Sequence, residues 1–399
     1  MQQARYSRLS FWVFAFLISC CSILNGQDSL KLHTKKQIPL EAEVVYAAGK
    51  VTSSTPPNSF VNAVELHLGY QTSGKAQWNK IFNYPRLGVS LIYQNLGNNR
   101  QLGQQFSIVP MVYFSTARKE TAKVCAEFRY GLGLAIFNRP FDAVTNPNNL
   151  LVGEHTTWQF TVGSDLRWNV SQYISLQLGG VWYHASDAHT VLPNIGVNTF
   201  GGYVSMLVYP FGRVHRSHEL DTLAVEKKWH CNFRFGSGWQ ERGWGSSISG
   251  QRYPVYTGAI YASKRVAKIF LLKAGAMYRY YPMFLSIIKD YNVFSSQLNL
   301  RSSAFIIFIG NEFLLGHFAI NLEAGVNVYK PAYPAFNDHY GQSSGLAYIT
   351  KRYIASRFGA SYYIFDPYKH LRNNIFVSAN VCANSGTAEF LEFSLGYVF

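Results

Sequence analysis

The sequence is poor in charged side chains and, after its first 24 residues, has no long apolar run. Asp, Glu, Lys and Arg make up only 14% of the 399 residues, whereas Phe, Trp and Tyr make up 16%. No later stretch offers the roughly 18 consecutive apolar residues that a transmembrane helix needs. The composition therefore argues against soluble domains, which are richer in charge, and also against a helical membrane protein.

Cysteine is scarce, and clusters of Lys or Arg are absent. Beyond Cys20 and Cys21 only Cys125, Cys231 and Cys382 remain, an odd and widely spaced set. A disulfide-stapled domain needs more cysteines that lie closer together, so we predict three unrelated thiols. The net charge of +15 is not gathered into runs that indicate nucleic-acid binding.

The first residues have the pattern of an export signal. Arg5 and Arg8 precede an apolar run over residues 9–24, and small or polar residues follow. This pattern predicts a signal peptide over residues 1–26. A lipoprotein cleavage box ending at Cys20 is an alternative, although Ile18 fits such a box poorly. Either interpretation predicts an exported chain.

Short segments that alternate between apolar and polar residues fill the mature chain. An exported protein rich in Tyr, Phe and Gly with such segments is typical of a transmembrane β-barrel. We predict an all-β fold: an antiparallel barrel of the outer-membrane type with about 14–16 strands, sixteen being the count of candidate segments. The long polar connection 212–228 either marks a boundary between two halves, 27–212 and 213–399, or forms a small plug. The sequence leaves open whether both halves close one barrel.

The last segment carries a further signal. Leu391, Phe393, Leu395, Tyr397 and Phe399 form one apolar row, which resembles the carboxy-terminal signature of outer-membrane barrels. That resemblance implies recognition by the barrel assembly machinery and a location in the bacterial outer membrane.

Polar residues stand at the end of an apolar row in residues 173–186. Because side chains alternate along a strand, Trp182, His184 and Ser186 share the outward face. Asn198 heads the next apolar row, so an antiparallel hairpin would bring it to His184 and Ser186. A serine becomes a nucleophile when an adjacent base takes its proton, and the base needs a partner on its other nitrogen. Polar groups on a lipid-facing surface are costly, which favours a functional site.

The same hairpin resembles the active site of the lipid A 3-O-deacylase family, the PagL-like acyloxyacyl hydrolases. The resemblance is carried by His184-Ala185-Ser186 and by the stretch from Pro193 to Asn198. It implies an outer-membrane esterase that acts on lipid A (lipopolysaccharide) without a cofactor or metal. Ser186 would be the nucleophile, His184 the general base and Asn198 the residue that orients it.

Two positions depart from the family pattern. Asn198 stands where the family has a glutamate, and an amide cannot offset the charge of an imidazolium. Asp187 stands where the family has an oxyanion-hole asparagine, and a carboxylate repels an oxyanion unless it is protonated or turned away. The alternative is therefore a non-catalytic barrel, namely a pore, a lipid-binding protein or a structural element, with a degenerate site.

Three other features have weaker claims. The sequence from Gly341 to Gly345 fits G-x-S-x-G, but this motif needs a strand-turn-helix elbow and we predict no helix there. A solvated turn accounts better than a metal site for His215, His218, Glu219 and Asp221. His189 is a second candidate base, but it lies in the predicted loop rather than on the strand face.

Overall fold

The computed structural model describes residues 39–52, 59–117, 121–213, 227–244, 247–341, 343–384 and 387–399. The described residues form sixteen antiparallel strands, as the sequence predicts, arranged as two closed barrels of eight strands each. In the first barrel β1 pairs with β8, and in the second β9 pairs with β16. The sixteen strands thus enclose two interiors rather than one.

The strands of the first barrel are joined by connections of four to eighteen residues. A single helical turn, α1, lies between its second and third strands. Its elements are β1 (Leu40–Val51), β2 (Val61–Gln71), α1 (Gln77–Ile81), β3 (Arg86–Asn95), β4 (Gln104–Ser115), β5 (Val124–Phe137), β6 (Thr156–Asn169), β7 (Ile174–Ser186) and β8 (Val197–Val208).

The second barrel carries helices in two of its connections. These helices lie at the end where β7 joins β8, which we call the site end. The elements are β9 (Trp229–Trp244), β10 (Ser247–Arg265), β11 (Phe270–Tyr280), α2 (Pro282–Asp290), α3 (Leu298–Arg301), β12 (Ser303–Leu315), β13 (Phe318–Tyr329), α4 (Tyr333–Phe336), a π-helical turn (Asn337–Gly341), α5 (Gly345–Tyr353), β14 (Ile354–Tyr363), β15 (Asn374–Asn384) and β16 (Thr387–Val398).

Apolar side chains face outward on both barrels. On β7, Leu176 and Leu178 are exposed, whereas Ser175 and Gln177 point inward and are buried. On β16, Phe393 and Leu395 are exposed and Glu392 is buried. This alternation is the reverse of a soluble barrel and matches a lipid-facing belt around a polar interior.

Ion pairs fill the interior of the first barrel. The buried guanidinium of Arg86 lies 2.9 Å from Glu41, 3.2 Å from Glu43 and 2.8 Å from Glu127. Arg129 pairs with Glu65 at 3.1 Å. An eight-stranded barrel is just wide enough for side chains to fill, and here these buried charges compensate one another in place of solvent. The interior is a packed core, and the aqueous lumen that sixteen strands in one barrel would form is not present.

Ion pairs also fill the interior of the second barrel. The buried carboxylate of Glu323 accepts from Arg234 at 2.7 Å and from Lys273 and Arg357 at 3.1 Å. Arg357 also pairs with Glu392 at 2.8 Å, so each barrel has its own charged core in which an arginine bridges buried carboxylates.

The two barrels contact each other along β6. The Trp158 ring packs against Phe393, with centroids 6.0 Å apart, and the Phe160 ring packs against Phe358 at 5.5 Å. At the opposite end from the site, the Trp78 indole of α1 lies against Gly316. The second barrel thus covers the strand next to β7.

Several sequence predictions fall outside the described residues. The signal peptide 1–26 does so, and so does most of the connection that separates the predicted halves 27–212 and 213–399. Among the described residues Cys125, Cys231 and Cys382 are free thiols. None of the helices described above is long and apolar enough to cross a membrane.

We expect Arg86→Met to lower the free energy of unfolding of the first barrel by roughly 3–5 kcal/mol, because it leaves buried carboxylates without their cation. Arg357→Met is the matched control, since it should do the same to the second barrel only. Hydrogen exchange in detergent, resolved by peptide across a urea series, distinguishes the barrels. Equal loss in both barrels from either variant would show that they unfold as one unit.

Candidate functional site

The β7–β8 hairpin brings the predicted residues together. His184 on β7 is the register partner of Asn198 on β8, and Ser186 is two residues further along β7. All three belong to the outward rows, as the alternation predicts, and each is partly buried by its neighbours. On the other side, Phe160 and Trp158 of β6 lie opposite His184 and Ser186. The site therefore lies on the lipid-facing surface at the site end.

The hydrogen bonds of Asn198 determine the tautomer of His184. The Trp182 Nε1–H donates to Asn198 Oδ1 at 3.2 Å, and His184 Nδ1 lies 2.9 Å from the same oxygen. An indole N–H can only donate, so the shared atom must be the amide oxygen. His184 Nδ1 therefore carries a proton, and its Nε2 is left unprotonated. A neutral imidazole with a free Nε2 is the form that acts as a general base.

Two donors converge on the Ser186 hydroxyl oxygen. The Asn194 side-chain amide donates to Oγ at 2.9 Å, and the backbone N–H of Ala188 donates at 3.2 Å. With both lone pairs engaged, the Ser186 hydroxyl hydrogen remains to be donated. Two N–H donors that converge on one point are the kind of arrangement that stabilises an oxyanion. Sequence reasoning assigned no role to Asn194, although it follows Pro193 within the very motif that carries the resemblance.

Gly196 is required beside His184 for two reasons. Its φ of 84° lies in the left-handed region, which favours glycine. A Cβ at this position would also lie 3.1 Å from His184 Cε1 and 3.5 Å from the Ser186 Cβ. The return of the loop into β8 thus passes directly over the imidazole and holds it.

Asp187 is buried within the loop. Burial raises the pKa of its carboxyl to about 7, and the charge of Glu154 adds to this, while backbone N–H groups of residues 189–191 oppose it. The group that reaches Ser186 is the Asn194 amide, which is neutral. The expected repulsion from Asp187 is therefore absent whenever this carboxyl is protonated.

His189, the second candidate base, contacts the second barrel. Its carbonyl accepts the backbone N–H of Glu241 at 3.1 Å, and its ring lines a small cavity with Gln240 and Phe284 of the second barrel. Burial lowers the pKa of the His189 imidazole. The residue links the hairpin loop to the second barrel.

The remaining candidates change little. A helix, α5, does follow Gly341–Gly345, so the prediction of no helix there was wrong. The motif still lacks its strand, because a π-helical turn precedes it. His215, His218, Glu219 and Asp221 lie outside the described residues. Within the described ranges no three His, Cys, Asp or Glu side chains are grouped so as to hold a metal ion.

Comparison with known proteins finds a family match within the first barrel. A family model, Lipid A 3-O-deacylase (PagL), matches residues 62–206, which include the whole hairpin site. The resemblance inferred from the motifs is thereby confirmed for this part of the chain. Together with the two apolar-belted barrels, it confirms the bacterial outer membrane as the location.

Similarity to solved structures is low in sequence. The outer membrane enzyme PagL is 16% identical over 41% of this chain and 97% of its own, with a TM-score of 0.30. Neisserial surface protein A (NspA) is 13% identical over 43% of this chain and 97% of its own, with a TM-score of 0.31. No curated protein matches the chain.

We expect Gly196→Ala to reduce labelling of Ser186 by an alkyl fluorophosphonate by about tenfold or more, because strain of about 1–3 kcal/mol at this φ displaces the loop from His184. Gly202→Ala is the matched control. Gly202 lies on the outward face of β8, where an added Cβ has no neighbour nearer than 3.8 Å. Labelling that is equal in the two variants would show that Gly196 does not hold the imidazole.

Proposed function

We propose that this protein is an outer-membrane serine esterase that removes a fatty-acyl chain from lipid A in the outer leaflet. The family match covers the barrel that holds Ser186, His184 and Asn198. Their outward orientation supports the proposal, because lipid acyl chains can lie against the apolar exterior while an ester meets the hydroxyl at the site end. The reaction as written uses no metal or cofactor.

The observation that carries the proposal is the chain of hydrogen bonds from Trp182 through Asn198 to His184. It leaves His184 Nε2 as a base on the same face as the Ser186 hydroxyl. A polar group that merely closed the apolar belt would have no need of a fixed tautomer. These hydrogen bonds thus prepare His184 to accept a proton, and loss of its proton is what turns a serine into a nucleophile.

The reaction then follows the usual two steps of a serine esterase. His184 Nε2 takes the Ser186 proton as Oγ bonds to the ester carbonyl carbon, and the carbonyl oxygen becomes an oxyanion that the Asn194 amide and the Ala188 N–H can stabilise. Collapse breaks the bond to the sugar oxygen, which leaves with the proton from His184. Water, deprotonated by His184, then attacks the acyl-enzyme and releases the fatty acid and Ser186.

Asn198 also supports the rival function, a lipid-binding barrel without activity. An amide orients the imidazole but supplies no negative charge to stabilise its protonated form. Such a protein would hold acyl chains on the same surface without cleaving them. The pore has no comparable support, because both barrel interiors are filled.

We expect lipid A from cells that express this protein to lose one acyl chain, and lipid A from cells that express Ser186→Ala to keep it. Mass spectrometry of the extracted lipid A measures the loss and identifies the position cleaved. Ser164→Ala is the control, since Ser164 also faces outward on β6 but belongs to no site. Identical spectra from the wild type and Ser186→Ala would favour the lipid-binding barrel.

The raised pKa of the Asp187 carboxyl predicts that both stability and the rate of fatty-acid release depend on pH. Because its pKa in the folded chain is about 7, against an ordinary value near 4, ionisation costs stability, and this loss develops as the pH rises from about 4 to 7. Above pH 7 the carboxylate also opposes the oxyanion. We expect Asp187→Asn to match the wild-type rate of fatty-acid release at pH 5.5 and to exceed it about threefold to tenfold at pH 8.5.

Asp142→Asn is the control for this pH series. It removes the same charge from a fully exposed loop position, so its profile should follow the wild type. A constant ratio of Asp187→Asn to wild-type rates between pH 5.5 and 8.5 would contradict a role for the Asp187 charge.

A further inference from the structure

The hairpin loop that completes the site is held by the second barrel. Both donors to Ser186 come from residues 187–196: the Ala188 N–H and the Asn194 amide. The residues of this loop that lie between the two donors contact β9, a strand of the other barrel. The donor geometry is therefore shared between two barrels, of which only the first matches the deacylase family.

Glu241 makes the contact. Its carboxylate accepts the Leu192 N–H at Oε2 and the Gly250 N–H at Oε1, each at 2.8 Å. Its own backbone N–H donates to the His189 carbonyl at 3.1 Å. The side chain is 2% exposed. A buried carboxylate with both oxygens engaged by N–H groups is a strong and directional connection.

The loop needs such a connection because its backbone is strained. Ala188 and His189 have φ values of 57° and 73°, a conformation that costs a non-glycine residue of the order of 1–3 kcal/mol. Strain of this kind persists only where neighbouring structure enforces it. The Glu241 contacts fall on His189 and Leu192, between Ala188 and Asn194.

We propose that Glu241 is a positioning residue for Ser186: through the loop it holds the Ala188 N–H and the Asn194 amide on the nucleophile, so that the second barrel forms part of the deacylase site. The proposal rests on the proposed function for its catalytic consequence. Its structural part concerns the loop alone.

The test compares Glu241→Ala with Glu241→Gln in the full chain. Loss of an oxyanion donor costs about 10²–10³ in kcat, and an indirect effect should be smaller, so we expect Glu241→Ala to lower kcat for fatty-acid release from lipid A micelles roughly 10–100-fold with little change in KM. Glutamine retains one acceptor oxygen, so Glu241→Gln should lower kcat less than Glu241→Ala does. Hydrogen exchange in residues 187–196 should be faster in Glu241→Ala.

Arg357→Met is the control for general damage to the second barrel, since Arg357 lies in its core away from the loop. Without urea, where the destabilised second barrel is still folded, it should leave both kcat and loop exchange as in the wild type. Unchanged kcat and exchange in Glu241→Ala, or equal losses in Arg357→Met, would overturn the proposal. If the wild type releases no fatty acid, the proposed function fails, while loop exchange and labelling of Ser186 by the fluorophosphonate still decide the role of Glu241.

Discussion

Closure at eight strands is the constraint on which the structure depends. A closed eight-stranded barrel is just wide enough for side chains to fill its interior, and here the space is taken by compensated charges such as Arg86 with its three carboxylates. Chemistry must therefore take place on the outside or at an end. Outside, a polar group faces lipid unless neighbours engage it, which explains why Trp182, His184 and Asn198 bond to one another.

The part of this arrangement that depends on strand periodicity could be predicted from the sequence. Alternation along a strand places His184 and Ser186 on one face whatever the barrel size, and the turn-rich segment after them predicts the hairpin that brings Asn198 alongside. The number of barrels could not be predicted in this way. β8 can pair with β1 and close a first barrel, or it can pair with β9 within one larger barrel. Both arrangements give the same alternation of apolar and polar residues.

The positions of the loop side chains could not be predicted from strand periodicity either. Asn194 approaches Ser186 because the chain turns at Ala188 and His189, where two non-glycine residues adopt left-handed backbone, and no local sequence preference indicates that conformation. The same turn buries Asp187. The side chain that reaches Ser186 is therefore the neutral amide of Asn194 and not the carboxyl of Asp187.

These features change the significance of Asn198. A carboxylate at this position would stabilise the imidazolium, but it would be a charge on a lipid-facing surface beside a second carboxyl, Asp187, that burial already disfavours in its ionised form. The Asn198 amide fixes the same His184 tautomer without placing a charge on the lipid-facing surface. It stabilises the protonated imidazole less than a carboxylate would. With β6 covered by the second barrel and the loop held by Glu241, precise donor placement can offset part of that loss, because fixed dipoles do not have to reorganise during the reaction.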